Sequence, residues 1–248
     1  MWIAKYVALF LLIVFVLPAL ATIAWWELQD RPRSWRTADW SASGVLAKAG
    51  SDREAAVYVM AARTGGLKGA LSVHSWIVFK KTGAAEYERY EKVGWGMPVR
   101  RNAHAADGRW YSNMPEVVRE VRGAEAGRLI PQIEAAIAGY PYTMRGGYRI
   151  WPGPNSNSFV AHVLREVPEL GARMPPNATG RDYAPGWALM EWLPEGGLHA
   201  TLGGWLGFTV GREAGIELHF LGLVAGLDFA RPALKIPAFG RVGLTGAG

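Results

Sequence analysis

The chain has 248 residues, half of them hydrophobic, enough for one sizeable core or one core with a small appendage. Its net charge of +6 comes from scattered Arg, a diffuse positive field suited to anionic lipid head groups or cell-wall polymers. No basic–aromatic stripe or zinc-finger spacing occurs, so nucleic acid is not an expected partner, and the absence of cysteine removes disulfides, thiolate metal sites and thiol catalysis.

Tyr6 to Trp26 is an uncharged run of 21 residues preceded by Lys5, long enough to span a bilayer and closed by an interfacial Trp pair. A cleaved signal peptide ending near Ala19-x-Ala21 is the alternative, but the apolar run continues beyond that point. We therefore expect residues 1–28 to be a retained membrane anchor and residues 29–54 a linker, with Trp35 and Trp40 either at the membrane interface, the simpler reading, or pinning the linker onto the body. A strict positive-inside count favours a cytoplasmic body, whereas the signal-like features and the Cys-free composition favour the periplasmic side of the inner membrane. The second placement is the one expected here.

Ala55–Ala61 and Leu71–Lys80 read as strands joined through Thr64-Gly-Gly66, and Glu86–Trp95 as a third, half-exposed strand. Asn113 and Pro115 predict a helix over Pro115–Val121, and the spacing of Leu129, Ile130, Ile133 and Ile137 predicts another over Ala124–Tyr140. Tyr148–Trp151 reads as a short strand. Leu198–Phe229 is strand-like and glycine-rich, with a hairpin around Arg212–Gly215. Its large apolar side chains make either a β core or a surface for lipid or a membrane-protein partner. Pro232–Gly240 should be extended.

Between the expected strand and helix, Trp151-Pro-Gly-Pro-Asn-Ser-Asn-Ser-Phe-Val160 forms a stiff turn that delivers Asn155 and Ser156 to a helix over Ser156–Glu166. Ser156 is there a cap, or a nucleophile beside the positive helix end and its free N–H groups. Asn155-Ser-Asn-Ser-Phe-Val160 resembles the Asn-Cys-x-x-Phe-Val motif of circularly permuted papain-like proteins, the lecithin retinol acyltransferase and NlpC-type group. In that group the partner His lies upstream on a strand, where this chain has His74. From about His74 onward the chain also resembles a bacterial family known as domain of unknown function 3750, through His74-Ser-Trp76, Tyr140-Pro-Tyr142, Trp151–Val160 and Pro232–Pro237.

These resemblances imply an α+β protein with an N-terminal transmembrane helix. A papain-like core with an antiparallel sheet and helices would fill residues 55–170, and a β-rich extension residues 171–248. They imply Ser156 as nucleophile and His74 as base, with Asn155, Asn157, Trp76 and Trp151 lining a substrate groove. Glu88, Glu91, His104 and Asp107 are candidates to orient His74. His162, six residues past Ser156, lies on another helix face. No cofactor is expected, and no metal site either, since His199 and His219 are far apart in sequence and no H-E-x-x-H occurs. The expected function is a membrane-anchored Ser/His hydrolase or acyltransferase on a cell-wall or lipid amide or ester. The alternative is a non-catalytic envelope protein binding a lipid, a glycan or a membrane complex.

Overall fold

The computed structural model describes residues 2–184 and 186–243, so Met1, Pro185 and the last five residues of the expected extension lie outside it. Helix α1 (Trp2–Glu27) is long and apolar enough to cross a membrane. A π turn at Leu12–Val16 precedes Pro18. Proline cannot donate to the preceding turn and its ring crowds the carbonyl there, so a locally widened turn relieves the clash. Only one stripe of α1 is buried: Phe15, Ala19, Thr22 and Trp26, at spacings of three and four.

Eight- to three-residue strands β1 (Ala56–Arg63), β2 (Val73–Lys80), β3 (Glu88–Lys92), β4 (Val99–Arg101) and β5 (Glu116–Arg122) form an antiparallel sheet in the order β4-β3-β2-β1-β5. A single helical turn, α2 (Lys68–Leu71), separates β1 from β2. Helices α3 (Gly123–Ala138) and α4 (Ser156–Glu166) cover one face. There Val57, Val59, Ile77 and Phe79 pack with Leu129, Ile133, Phe159 and Val163. Met174 and Ala178 belong to the same cluster, so the core draws on residues beyond 170. On the opposite face Tyr58, Met60, Trp76 and Val78 pack beneath Trp110 and Trp40.

Four expectations are corrected. Residues 116–122 form β5, not a helix, because pairing with β1 satisfies their backbone and the Val residues favour a pleated surface. Tyr148–Trp151 forms no strand. Strand β3 is not half-exposed: Arg89, Glu91 and Lys92 are fully buried, Arg89 paired with Glu91 and Lys92 donating to the Tyr142 carbonyl. Trp40 also departs from the interface role, stacking on His104 with ring centroids 5.1 Å apart.

The remaining strands, β6 (Ala188–Trp192), β7 (Gly197–Leu202), β8 (Leu206–Gly211), β9 (Gly215–Phe220), β10 (Leu223–Asp228), β11 (Ala233–Ile236) and β12 (Gly240–Gly243), form a sequential antiparallel meander. The hairpin expected around Arg212–Gly215 is its β8–β9 turn. Its polarity is inverted. Met190, Leu198, Phe208, Leu218, Leu227 and Leu234 face outward, while Glu191, His199, Thr209, Glu217, His219 and Lys235 face the body. Helix α1 lies against the outward face, with Phe15 and Phe220 rings 5.5 Å apart. Arg63 ties the parts together, donating to Gly69 O at 2.7 Å and Phe239 O at 2.7 Å beneath the Trp25 and Trp26 rings.

Phe159 is fully buried at the junction of α3, α4 and the sheet. Phe159→Ala should destabilise the body by about 3–5 kcal/mol. Urea unfolding in detergent, followed by near-UV circular dichroism, measures the loss.

Candidate functional site

The start of α4 is tied down on every side. Asn155 is the N-cap, its Oδ1 accepting from Asn157 N at 2.9 Å and Ser158 N at 3.1 Å. Ser158 Oγ returns the capping box by accepting from Asn155 N at 2.6 Å. Asn155 Nδ2 donates to the carbonyls of Ile150 and Thr179. Asn157 accepts from Ser75 Oγ at 2.5 Å and donates to Val73 O and Thr179 O. Both asparagines are buried with their polar atoms engaged inside the protein, fixing helix to strand. Ser156 begins the helix as expected and is buried, with the Tyr148 phenol as its neighbour. Burial pushes that phenol up and hydrogen bonding from Ser156 draws it back.

His74 looks the other way. Val73 and Ser75 reach α4, so strand alternation sends His74 to the opposite face with Trp76. Its ring lies flat on Trp110, centroids 3.6 Å apart, and Nε2 is 2.7 Å from Glu91 Oε2. The same oxygen accepts from Arg89 at 2.8 Å, and the Arg89 guanidinium sits 4.1 Å over Trp76. Burial lowers His74, so it is neutral, and the ionised Glu91 can only accept; Nε2 therefore carries the proton. Burial would raise Glu91, but His74 and Arg89 outweigh it and hold the carboxyl down at about 2. Of the four groups considered for orienting His74, Glu91 is the one in place. Glu88 bonds Tyr90 and Arg101, Asp107 accepts from Ser43 and Leu46, and His104 stacks on Trp40.

The structure therefore does not bring Ser156 and His74 together as a hydrogen-bonded pair. Trp76 is fully buried, donating to Ala106 O, and Trp151 packs edge-on against Trp205 at 4.3 Å. His162 bonds Ala136 O on α3.

A different constellation lines the large cleft, of about 1100 Å³, between the body and the inner face of the seven-stranded sheet. The register aligns His199, Thr209 and Glu217 side by side across β7, β8 and β9, continuing through Gly226 to Lys235. Gly226 has no side chain, so Lys235 crosses β10 and reaches Glu217 Oε1 at 2.5 Å. From the body, Arg181 donates to Glu217, and Asp182 lies 3.3 Å from His219 Nδ1 and 4.0 Å from His199 Nε2. Burial pulls His199 down to about 4. It acts the same way on His219, but Asp182 and Glu217 overcome it and raise that imidazole to about 9. Burial opposes ionisation of Asp182, yet His219 and Arg181 hold it well below the usual carboxylate range. Sequence reasoning set His199 and His219 aside because they lie far apart in the chain; their placement two strands apart in a meander was the available signal. Neither Ser156 nor His74 lines this cleft.

A family model described as Protein of unknown function (DUF3750) matches residues 54–183, more than half of the chain. The chain belongs to this family. The family segment comprises the five-stranded sheet, its helices and the loop to Tyr183, so it supplies Asp182 while the seven-stranded sheet supplies the histidines. No curated protein and no solved structure matches the chain.

Glu91→Gln leaves the buried Arg89 charge unpaired and should destabilise by about 3–5 kcal/mol at neutral pH, read by urea unfolding. The carboxyl is ionised in the folded protein down to about 2, against an ordinary value of 4.5. Its contribution is thus complete above pH 4.5 and disappears as pH falls towards 2. The stability of Glu91→Gln should accordingly fall less steeply than that of the wild type across this window.

Proposed function

We propose that the protein is a single-pass membrane protein whose seven-stranded sheet rests in the bilayer surface and whose cleft binds a ligand there, without catalysis. The observation that carries this reading is the inverted sheet, apolar on its open face and polar on its covered one. Soluble sheets do the reverse, and a wide exposed apolar face marks contact with lipid or protein. The geometry of α1 favours lipid. Residues before Phe15 are almost wholly exposed and extend roughly 20 Å at helical rise. A hydrocarbon core is about 30 Å thick, so a spanning α1 draws the Phe220 edge of the sheet into the bilayer with it. The signal-like features and the Cys-free composition favour the periplasmic side of the inner membrane over the cytoplasmic body that the positive-inside count would give. The diffuse positive charge suits an anionic head group or cell-wall polymer as ligand.

The absence of native cysteine allows a direct test with single spin labels. In lipid nanodiscs, a label at Leu218→Cys on the outward face should collide with dissolved oxygen more than with a water-soluble nickel chelate. A label at the exposed Arg128→Cys on α3 should show the opposite ratio. Equal aqueous accessibility at both positions would remove the membrane seat.

One observation favours a second reading, the Ser/His hydrolase or acyltransferase on a papain-like frame. Glu91 holds His74 Nε2, and Nδ1 makes no hydrogen bond among the described residues, as a base requires. Against it, strand parity separates His74 from α4. A fluorophosphonate probe should therefore leave the full-length protein unlabelled; labelling that vanishes in Ser156→Ala would establish the hydrolase instead.

A further inference from the structure

We propose that Asp182, His199 and His219 bind one divalent transition metal of the zinc type, at the inner face of the seven-stranded sheet. Two imidazoles and one carboxylate form a donor set that suits zinc, iron(II) or cobalt(II), and is too nitrogen-rich for calcium or magnesium. One ligand atom from each residue lies within 4.8 Å of the others, and all three side chains are buried. Tetrahedral ligands at about 2.0–2.1 Å from zinc stand roughly 3.3–3.4 Å apart. The 3.3 Å between His219 Nδ1 and Asp182 Oδ2 matches that spacing; His199 Nε2 lies 4.0 Å from the other oxygen, Oδ1, and a rotation of the carboxylate and imidazole would bring one oxygen into range of both rings.

The hydrogen bonding points the same way. His219 Nδ1 is buried and lacks a hydrogen-bond partner although Asp182 is 3.3 Å away. Nitrogen and oxygen lie side by side with the ring N–H direction off the carboxylate, as two donors do when both aim at a third atom. The far ring nitrogens are already held: His219 Nε2 by Glu217 at 3.2 Å and by Thr209, His199 Nδ1 by Thr209 at 2.9 Å. A carboxylate or hydroxyl behind each imidazole fixes the ring and raises its basicity, the usual outer support of a metal ligand. Arg181 and Lys235 neutralise Glu217, so that carboxylate can serve from behind without being drawn onto the ion. Three protein ligands leave a fourth position, and the cleft beside it takes water or a ligand group. Since Asp182 comes from the family segment and both histidines from the seven-stranded sheet, the ion would also fasten the two together.

The test uses tag-free full-length protein in detergent, stripped with a chelator and titrated with cobalt(II) as the spectroscopic stand-in for zinc. One equivalent of cobalt, with the intense visible absorption of a four-coordinate site and displacement by zinc, is expected. His199→Gln and His219→Gln should each abolish that spectrum. Thr209→Val removes only the outer support and should weaken affinity by about 10–100-fold while the protein stays folded by circular dichroism. Failure of the wild type to bind a stoichiometric ion overturns the proposal, the cluster then being a self-contained Asp182–His219 ion pair. Undiminished binding in Thr209→Val and in whichever histidine variant folds overturns it too, because the ion then sits elsewhere. Neither outcome bears on the spin-label result, so the membrane seat and the metal site stand or fall separately.

Discussion

Side chains on a β-strand alternate between two faces, so a sheet that collects its apolar residues on one side must collect its polar residues on the other. In the seven-stranded meander this constraint runs opposite to the usual sense of burial. Phe208, Leu218 and Leu227 face out; Thr209, Glu217 and Asp228 face the body. Two features then follow from one pattern. An apolar helix finds its place on the outer face, where Phe15 meets Phe220, and the inner face becomes a wall of titratable groups that only other protein charges can neutralise. Arg181 and Asp182, at the end of the family segment, supply part of that neutralisation. The body and the sheet are thus held together by charge as well as by the backbone contacts of Arg63.

The same alternation decides the five-stranded sheet. Ser75 and His74 are neighbours in sequence, yet one bonds the helix through Asn157 and the other lies against Trp110 across the sheet. A shift of one residue in register would exchange them. Each face is costly to disturb: Glu91 without Arg89, or Arg89 without Glu91, is an unpaired buried charge. Such a network defines the position of His74 more firmly than apolar packing alone would, because every donor has a direction.

Much of this was legible in local sequence. The periodicity of Leu129, Ile130 and Ile133 located α3, the turn at Pro152–Pro154 located the start of α4, and the alternation in Ile216–Phe220 gave the hairpin. What was not legible depends on pairing across the chain. Residues 116–122 carry a helix-like start after Asn113 and Pro115, and only β1 makes them a strand. Trp40 looks like an interfacial anchor until Trp110 and His104 are seen beside it. Four residues were candidates to orient His74 and none stood out in the sequence; the choice required the β2–β3 register that sets Glu91 diagonally across from it. His199 and His219 were dismissed on sequence distance; β8 between them turns that distance into adjacency.

A row of charges along a sheet is tolerable only where solvent or counter-charges reach it. Here the outer face is apolar and lies against helix and, in our reading, lipid, so the sheet is backed by a medium of low dielectric. That backing strengthens every pairing on the inner face and penalises every unpaired group there. Glu217 illustrates the consequence: it accepts from both Arg181 and Lys235 and also holds His219, with burial opposing its charge throughout. Asp182 is less well provided, with Arg181 Nε at 3.6 Å and a neighbouring imidazole whose N–H does not point at it. Of the two buried carboxylates Glu217 and Asp182, the less well matched marks where an additional positive charge would be most stabilising. That position is bounded by two imidazoles and opens on the cleft, which makes electrostatics, donor chemistry and access converge on a single point of the sheet.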